Sequence, residues 1–225
     1  MRAFLIILII LIGCSNPDKQ ASESELGELP AATSISIIRI EFEISDFETW
    51  LKLYMGDQTE RTSMGLTTMG IFKDSKIEDH YHAFLSGKDF ASLDQYCESK
   101  SFHNTFTIPA MKVLTRDLIE VTQLSENEFD QEYRLLISHR VLDYLEWKPI
   151  FDSDEQLRTS FDLTTVGVGR SKQDPSIVYV MFAFNDEEQA TGYVNSDVLK
   201  SRMREAGVVG DLQVTQVTPI EGIEF

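Results

Sequence analysis

Cysteine is scarce in this chain. Only Cys14 and Cys97 occur in 225 residues, which excludes a disulfide framework. Positive charge is short as well: 20 Lys and Arg stand against 37 Asp and Glu, a net charge of −17. Phosphate backbones repel such a chain, so nucleic acid is excluded as a partner. The acid excess reads as a solvated surface that keeps the protein soluble. Long apolar runs are missing except for Ala3 to Ile12, which is too short for a permanent membrane span. Also absent are a Gly-rich phosphate loop, a Gly-x-Ser-x-Gly elbow, a Cys-x-x-Cys pair and a His-Glu-x-x-His helix. Their absence removes the common routes to a nucleotide-dependent enzyme, a serine hydrolase, a thiol oxidoreductase or a zinc protease.

What is present begins with an address. Met1-Arg2, the apolar run and Leu11-Ile12-Gly13-Cys14 read as an export signal. The last four residues resemble the bacterial lipobox. That resemblance implies cleavage before Cys14, acylation of Cys14 and stable anchoring in a lipid bilayer by two or three chains. Ser15 after the cysteine leans towards the outer membrane, facing the periplasm. Removing residues 1–13 takes away only Arg2, so the mature charge becomes −18. Residues 14–33 are small and polar and read as a lipidated tether. Cys97 is then the one cysteine left in the folded part, expected as a buried thiol.

The rest of the chain repeats itself. Shifted by 97 positions without a gap, Asp46 falls on Asp143, Trp50 on Trp147, Asp57 on Asp154, Arg61 on Arg158, Gly70 on Gly167 and Tyr96 on Tyr193. There are 13 identities between positions 46 and 111, where ordinary residue usage gives roughly 4. So long a period means two similar domains, not a solenoid. Each copy carries the same order of signals. Ser34 to Ile44 alternates as a strand, Asp46 caps a helix with Trp50 and Tyr54 inward, and Thr67–Lys73 and His80–Ser86 form a hairpin. Asp89 caps a second helix, an irregular piece runs to Pro109, and Val113–Val121 is the last strand. The second copy gives strands at Tyr133–Val141, Thr164–Arg170, Ile177–Phe184 and Leu212–Thr218, with helices after Asp143, Asp186 and Ser196.

The expected fold class is α+β: two tandem ferredoxin-like βαββαβ units, residues 34–124 and 132–225, joined by an acidic linker at 125–131. Each bare sheet face needs cover. Packed sheet to sheet, the two units make an intramolecular dimeric α/β barrel.

His139-Arg140-Val141-Leu142-Asp143-Tyr144-Leu145-Glu146-Trp147-Lys148 and the helix end Ala206-Gly207-Val208 resemble the dimeric α/β-barrel superfamily, in its cyclase-like and antibiotic-biosynthesis-monooxygenase-like members. The first copy departs from that pattern, with Phe42 in place of His139. The superfamily includes cofactor-free monooxygenases, isomerases, haem enzymes and members without known activity, so the likeness alone does not decide function.

Two groups of candidate site residues follow. His139, at a strand end, and Arg158, about ten residues into the following helix region, are the candidate catalytic pair. A histidine near neutrality suits a general base and an arginine suits a carboxylate clamp. Structural roles compete for both. Arg39, Glu41 and Glu43 share one strand face, pointing either to the space between the sheets or to solvent, and are candidate ligand-binding residues. So are His80 and His82, which alternate on one face. The His-x-His pair needs a third ligand before it can hold zinc or copper, so no metal and no cofactor is assigned. The expected function is that of an envelope lipoprotein whose barrel binds a small molecule or a partner protein without catalysis. The alternative is a cofactor-independent monooxygenase or isomerase using His139 and Arg158. A lumen filled by Phe182, Phe184, Met69 and Met181 instead indicates a structural module. Replacing the anchor residue by Cys14→Ser is expected to move the protein from the membrane to the soluble fraction and to stop incorporation of labelled palmitate.

Overall fold

The computed structural model describes residues 35–127 and 129–220. The segments expected as export signal and tether, and the expected lipidation site Cys14, lie outside the described residues. The first unit consists of β1 (Ile35–Ile44), α1 (Phe47–Gly56), α2 (Gln58–Ser63), β2 (Thr67–Asp74), β3 (His80–Gly87), α3 (Phe90–Cys97), α4 (Lys100–Phe106) and β4 (Met111–Leu124). The second consists of β5 (Tyr133–Val141), α5 (Tyr144–Ser153), α6 (Glu155–Thr159), β6 (Thr164–Ser171), β7 (Ile177–Phe184), α7 (Glu187–Asn195), α8 (Asp197–Glu205) and β8 (Val208–Pro219).

Helix starts follow their caps. Asp46 accepts from the Thr49 amide, and Asp89 and Ser92 form a reciprocal capping box. Ser99 and Ser196, matched by the repeat, cap α4 and α8. The segment before Pro109, expected to be irregular, is the helix α4. Ser101, Asn104 and Thr105 are poor helix formers, but Phe102 and Phe106 at i, i+4 bury against the first core and hold the two turns in place.

The eight strands close into one antiparallel ring in the order β1-β3-β2-β8-β5-β7-β6-β4. Each unit contributes four adjacent strands, and the units meet at two seams. At one, Phe72, Lys73 and Asp74 of β2 pair with Pro219, Thr218 and Val217 of β8. At the other, Ile119 to Leu124 of β4 pairs with Ser171 to Gly167 of β6. Closure removes every free sheet edge. The duplicated Gly70 and Gly167 sit at matching register shifts in β2 and β6, where a glycine suits a bulge.

Strand alternation sorts the side chains into three cores. Ile38, Ile40, Phe42 and Ile44 pack outward under α1 and α3 with Trp50, Tyr54 and Tyr96. Leu135, Ile137, Val178, Val180, Phe182 and Phe184 do the same under the second set of helices. Ile37, Phe72, Phe84, Ile119, Val121, Leu136 and Val217 meet inside the ring. A fully buried side chain such as Phe42 contributes about 1.5–3 kcal/mol. Of the four residues named as a possible lumen filling, Phe182 and Phe184 therefore belong to the helix-facing core, and Met69 and Met181 line the lumen. Residues 178, 180, 182 and 184 are as apolar as their neighbours, so composition leaves the facing open, and pairing of Leu135 with Phe182 decides it.

The β4–β6 seam depends on a glycine. A Cβ on Gly169 would lie 2.6 Å from Ile119 Cγ2 and 2.9 Å from the Glu120 carbonyl oxygen, and backbone cannot yield as a side-chain tip does. Gly169→Ala is expected to cost about 1–3 kcal/mol in urea unfolding. Gly192→Ala, whose Cβ would meet nothing nearer than 3.9 Å, is expected to be neutral or stabilising by up to about 1 kcal/mol.

Candidate functional site

The lumen holds a cavity of about 410 Å³, within the roughly 300–1,000 Å³ range of small-molecule sites. Its position follows from divergence between the copies. Across the repeat, Phe72 corresponds to Gly169, Phe84 to Met181, Arg39 to Leu136, Glu41 to Ser138 and His82 to Tyr179. Phe72 on β2 and Glu41 on β1 are thus matched by the smaller Gly169 on β6 and Ser138 on β5, and all four line the cavity. Met69, Leu124 and Phe129 line one end, and Met69 and Leu124 are partly exposed there.

The other end is polar. Odd positions of β1 point inward, and this brings Arg39 and Glu41 to the cavity wall. Arg39 donates to Asp117 through Nε at 3.1 Å and Nη2 at 2.8 Å, and to Glu41 at 3.3 Å. Glu41 Oε1 lies 2.9 Å from His80 Nε2, and its other oxygen accepts from the Thr115 hydroxyl at 3.2 Å. His80 Nδ1 is 3.8 Å from Asp74, whose carboxylate also receives the Lys76 and Ile77 amides. Arg39 stands 5.6 Å from the centre of the Tyr179 ring. Burial beside Asp117 pushes the Tyr179 phenol up to about 12.

His82 is 1% exposed, and neither ring nitrogen has a partner among the described residues. It pairs across the sheet with Glu41 and Phe72. Burial, with Arg39 nearby, lowers its pKa to about 4, so it is neutral at pH 7. Of the expected ligand-binding residues, Arg39, Glu41, His80 and His82 thus form one cluster. Glu43 lies apart at the exposed rim, 3.6 Å from Lys112. Among the described residues no three His, Cys, Asp or Glu side chains converge as a metal set; His80 is already bound to Glu41.

The candidate catalytic pair lies elsewhere. His139 and Arg158 face a common cleft under α5 and α8, on the outer side of β5. The lumen and this cleft are separated by the sheet itself. The cleft holds about 50 Å³, room for a water or two and far below what a substrate or a haem needs. Arg158 is 3% exposed, donates to the Phe151 carbonyl at 2.5 Å and lies 4.0 Å from the centre of the Phe151 ring. Arg61 repeats this on Tyr54, at 2.5 Å and 3.6 Å. Each arginine therefore adds a second donor to a last-turn helix carbonyl that also accepts from the C-cap amide, Asp57 to Tyr54 and Asp154 to Phe151. That shared duty explains why the two were retained in both copies. The duplicated Asp57 and Asp154 hold the later helices: Ser101 donates to Asp57, and Arg202 donates to Asp154 at 2.8 Å. Cys97 is half-buried, and burial pushes its thiol up.

Sequence reasoning missed Tyr179, Ser138, Asp74 and Asp117 as parts of the lumenal site. Alternation alone finds the inward face of β1, because Arg39 and Glu41 interrupt an apolar run. It cannot find the inward face of β7, where both faces are apolar.

No family model matches the chain, and no curated protein matches it. Solved structures do. A proposed monooxygenase of Lactobacillus acidophilus is 14% identical with TM-score 0.54, covering 84% of this chain and 94% of that one. An anthrone oxidase-like protein is 11% identical with TM-score 0.57, over 85% and 93% of the two chains. A variant of chlorite dismutase from Candidatus Nitrospira defluvii is 10% identical with TM-score 0.59, over 84% and 93%. At such identities these likenesses show the fold: a dimeric α/β barrel made from two ferredoxin-like repeats in a single chain.

Burial lowers the His139 pKa to about 4, against about 6.5 in an unfolded chain. Between those values the unfolded state takes up a proton that the fold refuses, so stability falls as pH drops through that window and is unaffected above it. His139→Phe is expected to shrink the loss of unfolding free energy between about pH 7 and pH 4.5 by about 2 kcal/mol, measured by urea titration at both pH values.

Proposed function

We propose that this chain is a lipid-anchored binding protein of the bacterial envelope, whose barrel lumen holds a small, mainly apolar molecule without transforming it. The observation that carries this reading is the lumenal cavity of about 410 Å³, walled by Ile37, Phe72, Phe84 and Leu136 and ending on a few polar groups. That mixture fixes a ligand's orientation while its body is desolvated. The polar groups at that end are engaged with one another: Arg39 with Asp117 and Glu41, and Glu41 with His80. Such mutual satisfaction suits Arg39, Glu41 and Asp117 to recognition, and His82, whose ring nitrogens are unpartnered among the described residues, is not one of the residues that line the cavity. The envelope address rests on the lipobox-like residues ending at Cys14. Among the described residues no helix is long and apolar enough to cross a membrane, and Cys14 supplies the contact with the bilayer in this reading.

The rival is a cofactor-independent monooxygenase or isomerase. Its support is the fold shared with the proposed monooxygenase and the anthrone oxidase-like protein. The cleft shared by His139 and Arg158 is too small to accept a substrate without rearrangement. A partner protein of the envelope is the third reading, and no surface feature favours it over the cavity.

Native mass spectrometry of the protein purified from its own membrane tests the reading. A non-covalent adduct is expected on the unaltered chain and not on Ser138→Trp, which fills the lumen. An adduct that persists in Ser138→Trp, or none on either protein, overturns lumenal binding.

A further inference from the structure

The charge around the cavity's polar end does not balance. One guanidinium, Arg39, faces three carboxylates: Asp117 at 2.8 Å, Glu41 at 3.3 Å and, through His80, Asp74. These carboxylates are largely removed from water; the Glu41 side chain is 19% exposed and that of Asp74 is 4% exposed. A surplus of negative charge in a poorly hydrated site is costly unless a cation offsets it.

Three further features point the same way. The repeat puts the small Ser138 where the first copy has Glu41, and both line the cavity. The repeat also puts Tyr179 where the first copy has His82, and the Tyr179 ring is already approached by one cation, Arg39; an aromatic face attracts a second in the same way. His82, the cross-strand neighbour of Glu41, is almost completely buried on the same inward face just outside the cavity lining, its ring nitrogens unpaired among the described residues and without positive charge at neutral pH. A neutral imidazole nitrogen accepts a hydrogen bond from an N–H donor.

The opposite end does not offer an anion site. Arg134 lines the cavity there, but its guanidinium donates to the carbonyls of Phe129, Gln131 and Tyr133. It ties the linker across the barrel end.

We infer that the lumen selects organic cations: an apolar or aromatic body carrying an amine, with the ammonium group against Glu41 and the Tyr179 ring and the body between Leu136 and Phe84. This rests on the lumenal-binding reading and deepens it. From the level of Arg134 to that of Ser138 the strand advances four residues, about 13 Å, which accommodates a phenyl ring, a short alkyl chain and a terminal amine.

Isothermal titration of the purified full-length chain with 4-phenylbutylamine, 4-phenylbutan-1-ol and 4-phenylbutanoate tests the inference, since the three probes differ only at the head. The amine is expected to bind at least about tenfold tighter than the alcohol, a difference of about 1.4 kcal/mol, with the carboxylate weakest. Glu41→Gln is expected to bring the amine close to the alcohol, and Ser138→Trp to abolish binding of both. The ranking on the unaltered chain stands by itself if Glu41→Gln fails to fold. An amine that binds no tighter than the alcohol, a carboxylate that binds tightest, or an amine that does not bind at all overturns the inference. If the alcohol binds and is lost in Ser138→Trp while the amine has no advantage, lumenal binding survives and only the preference for cations falls.

Discussion

Everything in this molecule depends on hydrogen bonding at two seams. A four-stranded ferredoxin-like sheet covers one face with helices and leaves a bare face and two unpaired edges. Here the edges of one copy are the partners of the other: β2 meets β8, and β4 meets β6. Once both seams form, the bare faces are forced to curve around a common interior, and the third hydrophobic cluster appears between them. The seams are unequal. The β4–β6 seam joins five residue pairs with a register shift, whereas the β2–β8 seam joins three and is extended by the Ser75 amide to the Gln216 carbonyl and the Ile220 amide to the Ile71 carbonyl, each at 2.9 Å.

The interior is where composition turns into chemistry. The helix-facing cores are apolar and closely filled, with large aromatic clusters in both copies. The lumen instead combines apolar walls with ion-paired and hydrogen-bonded groups at one end. Buried charges are costly unless paired, and Arg39, with Asp117 and Glu41, supplies part of that pairing within the chain. The same residues set the polarity of whatever occupies the remaining space.

Much of the fold was legible in the residues. The repeat of 97 positions gave the same order of elements twice, which the structure keeps, and Asp46, Asp89, Asp143, Asp186 and Ser196 marked helix starts that it keeps as well. The inward clustering of Arg39, Glu41, His80 and His82 was legible in part, because charge interrupts an apolar alternation in β1. The facing of β7 was not: Val178, Val180 and Phe182 look as suited to a lumen as Tyr179 and Met181, and only strand pairing separates them. Nor could sequence separate duplicated residues kept for structure from those kept for chemistry. Arg158 has the charge of a substrate clamp, yet its donor goes to the carbonyl of Phe151, a distance relation that no linear pattern encodes.

The pairing of Phe72 with Gly169 across the repeat has a consequence for how such a chamber can evolve. Two identical chains related by a twofold axis must present every interior side chain twice, so a bulky ring on one wall brings the same ring to the other. A tandem gene product escapes that obligation. Each wall can drift separately, and a lopsided, polarised chamber becomes accessible through single substitutions that an exchangeable homodimer would be compelled to make in duplicate.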